Sequence, residues 1–374
     1  MPLLASLALL LLQPAAAGAD VVVDVGGGMA LGRHSEQLMG VTAYGSPDFD
    51  EPRAQQLVRE LGIRSIGVQA VVTRFAPPNL SVAALAKWFA PDDPESGSSP
   101  ALRYVNATWN STALLRVLAS NGIRAAGAEP WIFLKTGDGK PCEGTAAEGH
   151  CFAAAGTPRP DANGDWSWWS TLFVGVFSVL HRLDPSLRYV HLWNEPNAHF
   201  WLDKFPNGTR ISGSYYSEFY RPVATALAAT FPPRINGQGQ PDLKTGIVLG
   251  GPVTYNPPFQ YQERVGGRIT DETWIEWFEP LLHATAAANK QLLEWVDFHA
   301  YNGAPGGQAG GGGGKGECTG PNCHNAAAET IEMNLQQIAL VGQAMGRPGL
   351  VMGASRNALS LAAVSVCPDR LVPL

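Results

Sequence analysis

Two stretches of this chain echo each other, and they limit the possible folds more than any other feature. Leu61-Gly62-Ile63-Arg64-Ser65-Ile66-Gly67 and Asn121-Gly122-Ile123-Arg124-Ala125-Ala126-Gly127 each follow an amphipathic segment. In both, the glycine can end a helix in the left-handed conformation and the isoleucine opens a strand. The segment before the first carries Ala54, Leu57, Val58 and Leu61 at helical spacing, and the segment before the second carries Leu114, Leu115, Val117 and Leu118. This is the joint of an αβ unit, met twice.

Strand candidates then recur at Leu38–Ala43, Ile63–Val68, Ile123–Ala128, Arg188–Trp193, Gly246–Gly250, Trp295–Tyr301 and Gly349–Met352. Helical patterns separate them at 51–61, 108–121, 165–183, 213–230, 271–290 and 326–345, with one more at 81–90. Strands alternating with helices mean parallel pairing and right-handed crossovers. An open sheet shows the same alternation. A barrel is favoured by polar residues at the C-terminal ends of several strands, because only in a barrel do those ends converge on one mouth. Glu129-Pro130-Trp131 follows the third strand candidate, Asn194-Glu195 the fourth, and Asp297-Phe298-His299-Ala300-Tyr301-Asn302 ends the sixth. The expected fold is α/β, a (β/α)8 TIM barrel with about seven strands present and the C-terminal part incomplete. The Gly-rich run 303–316 reads as a flexible loop. No Lys-Ser/Thr follows it in P-loop spacing, so it is not a phosphate cradle.

The chain's 374 residues suffice for one barrel, and a hydrophobic content of 45% supplies a core. A net charge of −6 with no basic stripe argues against a nucleic-acid partner. Residues 1–19 read as a secretory signal peptide: Leu3 to Leu12 is apolar but too short to span a bilayer, and Ala15-Ala16-Ala17-Gly18-Ala19 offers small residues for cleavage. The expectation is a secreted protein, with no membrane association once the signal is cleaved. Four glycosylation sequons agree, at Asn79, Asn106, Asn110 and Asn207. Of five cysteines, Cys142 and Cys151 flank one loop and Cys318 and Cys323 another, so two local disulfides are expected and Cys367 is left over. A zinc site using His150 and His324 is the weaker rival, because the pairs share no spacing. No metal and no cofactor is expected.

Glu195 is the residue with the clearest chemistry. It follows the apolar run Tyr189-Val190-His191-Leu192, where a carboxyl group at a barrel mouth can donate a proton to a glycosidic oxygen. Asn194 beside it can hydrogen-bond a sugar hydroxyl. Glycoside hydrolysis needs a second carboxylate, which attacks the anomeric carbon or activates water. His299 and Tyr301 alternate along one strand, so both can face inward, Tyr301 toward a nucleophilic carboxylate and His299 toward a hydroxyl. Sugars stack on aromatic faces, and Trp131 and Trp201 are the expected stacking contacts. Trp166, Trp168 and Trp169 lie at a helix start and are expected in packing.

Trp193-Asn194-Glu195-Pro196-Asn197 closely resembles the acid/base motif of the clan A glycoside hydrolases. Within the clan it looks most like the β-xylosidase/α-iduronidase family or the β-agarase group. The resemblance runs from about residue 38 to 352, is specific at Glu195, and is supported by position at 297–302. It implies a retaining glycosidase acting on a poly- or oligosaccharide, with Glu195 as the acid/base.

Clan members place a nucleophilic Glu at the end of the seventh strand. Here Gly349-Leu350-Val351-Met352 continues as Gly353-Ala354-Ser355-Arg356, and no Glu occurs after Glu332. Glu129 is a substitute from the wrong strand. The expected layout is therefore a barrel domain over 20–352 and an atypical tail over 353–374, with the chain diverted near residue 352 by splicing or an imperfect gene model. Exposed edges on the first and seventh strands follow from that, with Val21–Val25 a possible cover. The competing reading is a carbohydrate-binding pseudoenzyme. A serine hydrolase is disfavoured by the lack of a Gly-x-Ser-x-Gly elbow.

Overall fold

The structure, a computed structural model, describes residues 22–25, 29–33, 39–43, 49–77, 79–92, 98–109, 115, 118–119, 121–135, 164–194, 196–199, 212–242, 245–254, 260–262, 268–270, 273–286, 292–299, 351–356 and 359–364. It is an α/β protein built on a parallel sheet. The sheet's strands in chain order are β3 (Met39–Ala43), β4 (Ser65–Val71), β5 (Glu129–Lys135), β6 (Tyr189–Leu192), β9 (Val248–Thr254), β12 (Trp295–His299), β13 (Val351–Arg356) and β14 (Leu359–Val364). They pair in the closed order β12-β13-β14-β3-β4-β5-β6-β9. Three antiparallel hairpins lie outside it: β1 (Val22–Val25) with β2 (Met29–Arg33), β7 (Arg234–Ile235) with β8 (Pro241–Asp242), and β10 (Gln260–Gln262) with β11 (Arg268–Thr270).

Neighbouring pairs from β3 through β4, β5, β6, β9 and β12 to β13 are all parallel, as the alternation predicts. One strand is displaced from its expected place. The stretch 123–128 does not form a strand: Gly122–Ala125 is a short helix, α4, entered through Asn121 at φ 60°. It closes when Gly127, at φ 84°, donates its N–H to the Arg124 carbonyl. Ile123 is buried from the helix instead, and the strand begins at Glu129. The echo with residues 61–67 fails at the glycine itself: Gly62 is left-handed at φ 65°, whereas Gly122 opens α4 and Asn121 takes the left-handed place. The other strand candidates lie within about two to four residues of their expected ends, the usual uncertainty of such boundaries.

The first and seventh strands have a partner that was not expected. After β13 the chain doubles back as β14, which runs antiparallel to β13 and also to β3. Residues 353–356 continue β13 and 359–364 form β14, so the sheet draws on the segment that the sequence sets apart as a tail. The Val22–Val25 stretch pairs with β2 and takes no part in the barrel sheet.

Helices pack against the outside of the sheet. The larger ones are α1 (Pro52–Glu60), α2 (Val82–Phe89), α3 (Pro100–Trp109), α5 (Ser167–Leu183), α7 (Gly213–Thr230) and α8 (Glu279–Ala286), the last preceded by a π-helical turn at Trp274–Phe278; α6 (Pro196–His199) is a single turn. Ser81 caps α2 by accepting the Ala84 N–H, and Ser99 does the same for α3 from Leu102. Helix α5 buries Trp168, Trp169, Leu172, Phe173, Val176, Phe177 and Leu180, a three-four spacing that turns one stripe to the sheet. Gly175 on this helix admits the Phe89 ring of α2; a Cβ there would lie 2.1 Å from Phe89 Cδ2. Among the described residues, no helix is long and apolar enough to cross a membrane.

Candidate functional site

Alternation along the strands separates the outer face from the barrel interior. Ile66, Val68 and Ala70 of β4, Ile132 and Leu134 of β5, and Val190 and Leu192 of β6 belong to the apolar core shared with the helices. Ser65, Gly67, Gln69 and Val71, with Trp131, Phe133 and Lys135, and with Tyr189 and His191, therefore occupy the interior face. Ring contacts agree: Phe133 stacks on His191 at 4.5 Å and 14°, and Trp131 meets His191 at 5.8 Å and Tyr189 at 5.7 Å. The barrel is filled by these side chains on this side.

The C-terminal end of β6 carries the motif. Trp193 has φ 82°, in the left-handed region that a tryptophan rarely adopts. Its ring turns out of the strand's alternation, is 1% exposed, and packs edge-on against Phe219 of α7 at 5.6 Å. Two hydrogen bonds fix this turn. The Trp193 N–H donates to the Leu134 carbonyl at 2.8 Å, and the buried Tyr216 hydroxyl of α7 donates to the Leu192 carbonyl at 2.5 Å. Burial, with Tyr220 beside it, pushes the Tyr216 phenol well above its ordinary value, so it stays a proton donor. Gly251 of β9 passes the same hydroxyl: a Cβ there would stand 2.9 Å from Tyr216 Oη. The neighbouring Tyr220 hydroxyl donates to the Leu292 carbonyl at 2.9 Å, tying α7 to the segment before β12. Beyond Trp193 stand the half-buried Asn194 and then Pro196, which opens α6. Glu195 lies outside the described residues.

His299 is the last residue of β12. Strands β6 and β12 both run parallel to β9, which alone separates them. Asn194 and His299 therefore stand at the same end of the sheet. Tyr301 and Trp201 lie outside the described residues, as do Cys142, Cys151, Cys318, Cys323 and Cys367 with the two disulfides assigned to them. Asn79 and Asn106 are exposed, and Trp166, Trp168 and Trp169 are buried.

Trp131 and Glu129 are placed elsewhere. Trp131 pairs with Tyr189, the first residue of β6, whereas Leu134 pairs with Leu192, the last. Trp131 thus lies toward the N-terminal end of the strands, and Glu129 opens β5 at that far end. The displaced third strand accounts for both: a strand that starts at Glu129 rather than ending before it carries these residues to the opposite pole. There Glu129 is engaged by Arg124 at 3.2 Å. Arg124 also reaches Asp184 at 3.0 Å and donates to the Ser186 carbonyl at 3.0 Å. That network clasps α4, β5 and the turn before β6.

Sequence reasoning passed over three residues near the mouth. Lys135 ends β5 on the interior face and pairs in register with Val71; Gln69 lies one layer deeper, beside Phe133. A cation closing the apolar run Trp131–Leu134 was a visible signal for Lys135. Tyr216 had none, being one of several aromatic residues at helical spacing.

The sequence matches no family model and no curated protein. Similar solved structures include an exo-β-1,4-mannosidase from an Opitutaceae bacterium (12% identity, TM-score 0.39, over 71% of this chain and 39% of that one). A family 39 glycoside hydrolase from Bacteroides cellulosilyticus is similar at 16% identity and TM-score 0.37, over 75% of this chain and 42% of that one. A family 44 xyloglucanase from Paenibacillus polymyxa follows at 14% identity and TM-score 0.40, over 85% and 65%. The chain thus spans less than two thirds of the length of each of these proteins.

Proposed function

We propose that this chain is a glycoside hydrolase-like protein that holds an oligo- or polysaccharide at the C-terminal end of its barrel strands, with Glu195 as proton donor. One observation carries the reading. The chain places Trp193-Asn194 at the end of β6 and His299 at the same end of β12, one strand apart. A barrel keeps its chemistry at that end. The ancestral reaction is double displacement with retention, which requires a nucleophilic carboxylate about 5–5.5 Å from the acid. Secretion, glycosylation at exposed Asn79 and Asn106, and disulfides 142–151 and 318–323 complete the proposal.

A second reading has its own support. β13 runs through Gly353-Ala354-Ser355-Arg356, so the strand end where the resemblance calls for a nucleophile carries no carboxylate. A protein that binds glycans without cleaving them fits that strand.

Incubation with a panel of cell-wall and storage glycans, read as new reducing ends, separates the two. Under the first reading, Glu195→Gln slows cleavage of poor leaving groups by roughly 10²–10⁴-fold and spares activated aryl glycosides, which need little proton assistance. Equal loss on both classes contradicts the acid role. Binding without any cleavage by the unaltered chain selects the second reading.

A further inference from the structure

Strand β6 loses its alternation at the mouth. Leu192 and Trp193 are consecutive, yet both side chains belong to the apolar core shared with the helices. A strand that kept its period would aim position 193 into the barrel and position 194 at the helices. The φ of 82° at Trp193 shifts that phase by one residue. A tryptophan resists this left-handed geometry, and such a residue persists only where its surroundings hold it. Several contacts hold this one. The Trp193 ring packs on Phe219, its N–H donates to the Leu134 carbonyl, and the Tyr216 hydroxyl donates to the Leu192 carbonyl at 2.5 Å. That hydroxyl is itself fixed in place. Tyr216 is fully buried in α7, and Gly251 makes room for it: a Cβ there would stand 2.9 Å from the hydroxyl and 3.6 Å from the Leu192 carbonyl oxygen. Tyr220, one turn along α7, directs its hydroxyl elsewhere, to the Leu292 carbonyl at 2.9 Å and the Gly250 carbonyl of β9 at 3.5 Å.

We propose that Tyr216 is a positioning residue for the sugar site: its hold on Leu192 keeps Trp193 in the helix layer and so gives Asn194 the mouth side of β6. The proposal rests on the glycan-binding reading above and adds the group that sets the geometry of that site. The hydroxyl fixes the Leu192 carbonyl, and with it the plane of the peptide that leads into Trp193. Held there, the indole stays against Phe219, and the half-buried Asn194 takes the place that a tryptophan in regular alternation would fill. Without the hydroxyl, the Leu192 carbonyl is an unsatisfied buried acceptor, free to rotate toward another donor. The relaxation open to Trp193 is a return to negative φ, which carries the indole toward the barrel interior and Asn194 away from the mouth. Tyr216 does not touch the sugar. It acts through Asn194, and through position 195, which follows on the same backbone. A displacement of about 1 Å in a site of this kind costs up to about 10²-fold in function.

The test compares the unaltered protein with Tyr216→Phe and Tyr220→Phe. Both variants lose one buried hydroxyl from the same helix, so a merely structural role moves both alike. The first measurement needs no glycan: backbone hydrogen exchange, read by mass spectrometry on peptides covering residues 189–199. Tyr216→Phe speeds exchange there by roughly tenfold or more, and Tyr220→Phe does not. The second is calorimetric binding of xylo-, cello- and manno-oligosaccharides. Tyr216→Phe weakens the best-bound probe by roughly tenfold to a hundredfold, and Tyr220→Phe leaves its affinity unchanged. In an Asn194→Ala background Tyr216→Phe weakens binding no further, because groups that act through one another are not additive. Unchanged exchange, equal effects of the two variants, or losses that add in the double variant overturn the proposal, as does faster exchange with unchanged affinity; each of these leaves the glycan reading standing. No binding of any probe by the unaltered protein overturns the glycan reading and the sugar role of Tyr216 with it.

Discussion

Tyr216→Phe isolates the bond that shapes the end of β6. The substitution removes one hydroxyl and keeps the ring, which packs against Tyr220 at 5.9 Å, Phe219 at 6.1 Å and Trp277 at 6.3 Å. The Leu192 carbonyl then loses a donor at 2.5 Å inside a fully buried site. Leaving a buried acceptor without that donor costs about 1–3 kcal/mol. At about 2.1 cal/mol/K of unfolding entropy per residue over 374 residues, the melting temperature falls by roughly 1–4 °C. Parallel urea melts check the free energy directly, provided the transition is two-state. A pH series adds a second, independent readout. Burial raises the Tyr216 pKa above 10.0, so above that pH the unfolded state gives up a proton that the folded state keeps, and stability falls as pH rises. Tyr216→Phe removes that share of the alkaline loss. Unchanged melting in urea and heat, with an unchanged alkaline slope, would refute the assigned role of the hydroxyl.

Gly251→Ala forces a Cβ to 2.9 Å from Tyr216 Oη at a φ of 148°, so it destabilises more than Gly62→Ala, where φ is 65° and nothing lies within 4 Å; paired urea melts check the order. His181 is held below its ordinary value of 6.5, first by desolvation, against the raising influence of the Leu187 carbonyl and Asp184. Its folded pKa is the lower one, so its contribution is present above 6.5 and is lost as pH falls through the folded value. His181→Leu flattens that acid slope, and an unchanged slope contradicts it.

Periodicity made most of the barrel legible. The helix at 213–230 and the parallel strand order followed from apolar spacing and from the alternation of strands with helices. The third strand was misplaced because Gly-Ile-Arg serves two purposes. After Gly62 it leads to a strand, whereas Asn121 in the left-handed region starts a helical turn with the same letters. That single shift moved Glu129 and Trp131 from the mouth to the opposite pole. The return strand β14 was missed because its value lies in pairing with β3 and β13, distant in sequence and invisible to local patterns. Asn194 was readable from a motif. Gln69 was not, since a polar residue inside a strand acquires meaning only when the register shows what stands beside it.

The account stands or falls on where a sugar sits. A crystal structure of the protein with a bound oligosaccharide is predicted to show a pyranose at the C-terminal ends of β6 and β12, touching Asn194 and His299, with the Glu195 carboxyl facing the glycosidic oxygen. A glycan seated at the Arg124–Glu129 pole or on the helices, or Glu195 and His299 pointing away from one another, would contradict it.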